Sequence, residues 1–81
     1  MSKDFQVALD HLVKGEWEAA HVIVQEDDSA LASWMHAVVH LQEGDTSNAN
    51  YWFKRAGQPM VGIAEIDHEL KKIGAQIANS E

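Results

Sequence analysis

One stretch constrains this chain more than any other: residues 31–57, LASWMHAVVHLQEGDTSNANYWFKRAG, an apolar helical pattern followed by a glycine-acid turn. Placed at 100° per residue, Leu31, Trp34, Met35, Val38, Val39 and Leu41, with Ala30, Ala32 and Ala37, cover roughly 220° of a helix over residues 29–42. An arc that wide needs neighbours on more than one side, so this helix is expected at the centre of an all-helical core. Gly44-Asp45 breaks the pattern, and Asp45 or Thr46 caps a further helix that runs to about residue 56. Ala49, Trp52, Phe53 and Ala56 form its inner face, while Tyr51 and Arg55 point nearly the opposite way. Two helices joined by so short a turn fold back as an antiparallel hairpin.

The flanking segments read the same way. Ser2-Lys3-Asp4 can cap a first helix, whose apolar face is Phe5, Leu9, Leu12 and Val13 and whose end is marked by Lys14-Gly15. A short second helix, about residues 16–25, turns Trp17, Ala20, Ile23 and Val24 inward. The acids Glu26-Asp27-Asp28 suit a helix N-terminus better than a C-terminus, so they end it and, with Ser29, open the central helix. Gly57-Gln58-Pro59-Met60 is a connection. In the last helix, about residues 63–78, Ile63, Ile66, Leu70, Ile73 and Ile77 make a stripe of only about 80°. Such a seam closes the end of a core, or pairs with a second copy. The expected core is led by Leu12, Trp17, Trp34, Val38, Trp52, Phe53 and Leu70.

Laying Gly15 on Gly44 exposes an internal repeat with a 29-residue offset: His11-Leu12 falls on His40-Leu41, Ala8 on Ala37, Glu16 on Asp45 and Ala20 on Ala49. Each unit is a helix, a glycine-acid turn and a second helix, and neither could bury its apolar face alone. With Gly15-Glu16-Trp17-Glu18-Ala19-Ala20 at the first turn, and Ala37, Gly44-Asp45, Ala49, Phe53 and Ala56 in the second unit, the chain resembles tetratricopeptide-type helical repeats. It departs from them in its shorter period, against about 34 residues in that family. It also has His11 and His40 where the motif prefers tyrosine, and Pro59 two places early. The second unit is also similar to small bacterial proteins with no assigned activity, through His36-Ala37, Glu43-Gly44-Asp45 and residues 51–57. The repeat resemblance implies one domain over residues 1–81, with units at about 3–28 and 29–57 and a closing helix at about 62–78. It also implies a scaffold that binds other proteins rather than a reaction.

Composition narrows the function further. With 81 residues the chain buries only about 60% of its unfolded surface, so support from a partner protein or self-association is expected. The absence of cysteine removes disulfide and thiol chemistry and suits a reducing, cytoplasmic setting. Residues 1–45 carry nine acids against Lys3 and Lys14, whereas residues 46–81 carry four of each sign. An acidic first half repels phosphate backbones, so no nucleic-acid partner is expected. No segment has the length or apolarity of a membrane span, and the start of the sequence lacks the apolar core of a signal peptide.

The chain offers no nucleophile beside a base and no glycine-rich phosphate loop, so neither a catalytic residue nor a cofactor is expected. Its most suggestive polar group is His36, His40 and Glu43, which share one face of the central helix, with His21 on the polar edge of the second helix. The first reading makes these packing residues: His40 and His11 each bridge paired helices, and His36 is half exposed beside Ser33 on a narrow polar strip. The alternative is a histidine-lined site for a metal ion or a small anion, with Glu43 as a third ligand and His21 as a further one. Tyr51 and Arg55 are a solvated or stacked pair, or else a grip for a peptide carboxylate.

Overall fold

The computed structural model describes residues 2–80, with side chains from Asp4 to Asn79. Five α-helices follow one another: α1 Ser2–Val13, α2 Trp17–Val24, α3 Ala30–Glu43, α4 Thr46–Ala56 and α5 Ile66–Ser80, the last preceded by a single 3-10 turn at Ile63–Glu65. Among the described residues there is no strand. α1 pairs with α2 and α3 with α4 as antiparallel hairpins, α2 lies on α3, and α5 closes the assembly against α1 and α3. This is the expected all-α arrangement. Caps from the Ser2 and Lys3 side chains lie outside the described side chains.

The two hairpin turns are built alike. Gly44 sits at φ +92° and Gly15 at φ +77°, left-handed conformations that cost a residue with a Cβ. After each glycine the next amide reaches back five residues: Glu16 N–H donates to the His11 carbonyl at 2.8 Å, and Asp45 N–H to the His40 carbonyl at 2.9 Å. The internal repeat is therefore carried into backbone geometry. Asp45 Oδ1 accepts from Asn48 N–H at 3.2 Å, and Ser29 Oγ from Ala32 N–H at 3.1 Å, so both expected helix starts are capped.

Leu12, Met35, Val38, Leu41, Phe53, Ile73 and Ile77 form the buried centre. Trp34 is buried as expected, and its indole N–H donates to Glu69 Oε1 at 2.9 Å across α3 and α5. Lys72 Nζ lies 2.9 Å from the other Glu69 oxygen, an ion pair by distance rather than an aligned hydrogen bond. Gln42 Nε2 donates to the Leu12 carbonyl at 2.7 Å, tying α3 to the end of α1.

Three expectations are corrected. Trp17 and Trp52 are only partly buried and flank the core rather than lead it. Ile63 leaves the α5 stripe and is 59% exposed, because the chain takes a 3-10 turn before Ile66, held by Gly62 N–H donating to Glu65 Oε1 at 3.0 Å. His36, expected to be half exposed, is buried along with its neighbours on the polar strip: Ser33, His36 and His40 are 2%, 6% and 8% exposed, while Glu43 at the end of the strip is exposed. With α2 on one side, α4 on another and α5 behind, α3 is enclosed on its polar as well as its apolar side.

Candidate functional site

Enclosing that strip brings the histidines together. His36 and His40 lie one turn apart on α3, their rings stacked with centroids 4.9 Å apart at 27°. α2 brings His21 in from the first hairpin: its Nε2 is 3.0 Å from His36 Nε2, and its ring meets His36 edge-on at 4.7 Å and His40 at 5.5 Å. The remaining face of His36 is covered by Trp52 of α4, whose indole lies parallel at 3.8 Å and 11°. One donor nitrogen from each of His21, His36 and His40 lies within 4.8 Å of the others.

The protonation chemistry of this group follows from its contacts. Two Nε2 atoms at 3.0 Å share one proton, so one ring donates and the other presents its lone pair. His40 Nδ1 lies 2.7 Å from Glu43 Oε1; donating there places its proton on Nδ1 and leaves Nε2 with a lone pair. Burial, reinforced by the neighbouring His21 and His40, pushes the His36 imidazole down from 6.5 to about 4. His36 is therefore a neutral ring near pH 7. A neutral His36 offers a lone pair and no positive charge, which favours a metal ion over a phosphate or carboxylate at this ring.

The anticipated site residues divide into two groups. His21, His36 and His40 converge, while Glu43 stands behind His40 rather than beside the other two rings. Its alternative grouping, with His40 and Asp45, is at the exposed end of α3. The bridging role expected of His40 is corrected, whereas His11 does link α1 to the N-cap of α2. His40 bonds within its own helix, and His11 Nδ1 meets Glu16 Oε1 at 2.7 Å across the turn between α1 and α2. Tyr51 and Arg55 lie apart from the cluster. Arg55 Nη1 donates to Tyr51 Oη at 3.3 Å, Arg55 Cζ stands 5.4 Å from the Trp52 ring centre, and Tyr51 is 54% exposed. They form a hydrogen-bonded surface pair, with Asp28 4.0 Å from Arg55 Nη2.

Trp52 is the participant that helical periodicity did not assign to the site. The hairpin register holds a clue: positions 36 and 52 are equidistant from Gly44, and residues equidistant from an antiparallel turn face each other. The chain matches no family model, no curated protein and no solved structure.

Proposed function

We propose that this chain binds a divalent transition-metal ion between His21, His36 and His40. The observation that carries the reading is the convergence of three imidazole donors within 4.8 Å, around a His36 ring that burial favours in its neutral state. Zinc binds imidazole nitrogens at about 2.0–2.1 Å, which places neighbouring ligands about 3.3 Å apart in a tetrahedron. The 3.0 Å gap between His21 and His36 is already close to that spacing. Glu43 gives His40 the carboxylate partner that orients many metal-bound imidazoles. The reading involves no catalytic role. Titration calorimetry of the native chain and of a His36→Gln/His40→Gln double variant with zinc, nickel and phosphate tests it. Heat from the two metals on the native chain alone supports the site, and equal or absent metal heats for both proteins refute it.

A second reading rests on a different face. A cavity of about 370 Å³ between α1 and α5 is lined by Val13, Asp67, Leu70 and Lys71, and Val13 is 66% exposed beside it. This groove, the internal repeat and the acidic first half support an interaction module for a partner protein, in the manner of tetratricopeptide-type repeats. A cytoplasmic setting and the absence of nucleic-acid partners belong to the same reading. Its test is a pulldown from cell extract, with specific capture that weakens as salt is added as the expected result.

A further inference from the structure

The three donors come from two different hairpins, and this points beyond binding itself. We propose that a tetrahedral ion of the zinc class, held by His21, His36 and His40 with a water in the fourth position, clamps α2 onto α3. The inference rests on the metal-binding reading above and assigns the ion its role.

α2 is the shortest of the five α-helices and has few large side chains to hold it. It has eight residues, too few for an isolated helix to persist in water, and its fully buried side chains are Ala20 and Val24, both small. Trp17 and Ile23 are only partly covered, and Val22 faces outward. Its Glu16 N-cap makes no side-chain cap bond. Among the described residues, the side-chain hydrogen bond between α2 and α3 joins His21 and His36. An ion coordinated by both rings displaces the single shared proton, which passes to Nδ1 of the ring that had donated it; metal bonds then span the junction, with His40 as a third anchor from α3. Because an ion that requires His21 binds only when α2 is docked, its binding energy becomes docking energy for this helix.

The donor set selects the ion. All three ligands are nitrogen, which suits zinc, cobalt, nickel and copper(II) and excludes the oxygen-seeking calcium and magnesium. Three imidazoles with a water in the fourth position form a common tetrahedral zinc site, and cobalt(II) is its coloured equivalent.

The test uses the full chain with zinc or cobalt(II) as the only added ion. Native protein is compared with His21→Ala, and with His68→Ala as a control on an exposed α5 histidine outside the cluster. Hydrogen exchange is followed amide by amide. With zinc at about 100 times its Kd, α2 amides that exchange through undocking should slow by up to about 100-fold in native protein and His68→Ala. They should not slow in His21→Ala. The cobalt form of native protein should show the intense visible bands of tetrahedral coordination. Zinc heat without α2 slowing, or equal slowing in His21→Ala, overturns the clamp and leaves metal binding standing. Absence of zinc heat from native protein overturns both.

Discussion

Lowering the pH from 7 to 5 in the presence of a chelator should destabilise the protein by an amount that belongs to His36. Its ring is buried under Trp52 and against two other imidazoles, and its pKa lies at about 4 in the folded chain. Once unfolded it returns to about 6.5. Across that interval the unfolded chain binds a proton that the folded chain refuses, so stability is retained above 6.5 and is lost as the pH falls toward 4. With those two values the loss between pH 7 and pH 5 is about 2 kcal/mol, rising to about 3 kcal/mol below pH 4. For a domain of this size that is a sizeable part of a total of roughly 4–12 kcal/mol. Urea unfolding followed by circular dichroism at pH 7, 6 and 5 measures it. The comparison is His36→Gln, which keeps a polar side chain without a titrating ring. The pH 7 to 5 window lies above the main titration range of ordinary carboxylates, and the other histidines are common to both proteins. The same loss of stability in His36→Gln as in native protein would refute the assignment.

Trp34→Phe should cost about 1–3 kcal/mol in the same unfolding assay, because Glu69 Oε1 loses the indole N–H that it accepts in the core. Trp34→Ala should cost about 3–5 kcal/mol, and a cost no greater than that of Trp34→Phe would argue against tight packing there. Gly44→Ala should cost about 1–2 kcal/mol in thermal unfolding; an added Cβ meets nothing within 4 Å, so the φ of +92° is the whole source. Trp52→Ala should let water reach His36 and move its pKa up toward the ordinary imidazole range, visible by NMR titration of the ring protons.

Periodicity made α3 and its position legible, since an apolar arc of roughly 220° leaves few alternatives to a central helix. The glycine turns were legible for a similarly local reason. What periodicity could not supply was the lateral placement of one hairpin on the other. Ser33, His36 and His40 look like a solvent strip on a helical wheel, which records the residues of one helix and nothing of what packs over them. Here α2 and α4 cover that strip, and Trp52 turns its face to His36 instead of joining Phe53 at the centre. The pairing of His36 with His40 needs only a helix, so it could be seen beforehand. His21 is anticipated as a further ligand from the polar edge of the second helix, but its height against the other two depends on how α2 docks, a tertiary fact that spacing along one helix does not encode. Ile63 illustrates the opposite limit, where the regular stripe reads back past the start of α5 into the 3-10 turn held by Gly62 N–H donating to Glu65 Oε1.

Two of the three tryptophans stand in different electronic surroundings. Trp34 donates its N–H to a carboxylate of α5, whereas Trp52 lies face to face with an imidazole at 3.8 Å. An excited indole gives up an electron more readily to a protonated or metal-bound imidazole than to a neutral one. Emission from Trp52 should therefore dim when His36 gains a proton or a ligand, while Trp34 responds to the departure of the closing helix. With Trp17 replaced by phenylalanine, the chain would carry two native fluorophores, one reporting the state of the histidines and the other the integrity of the fold.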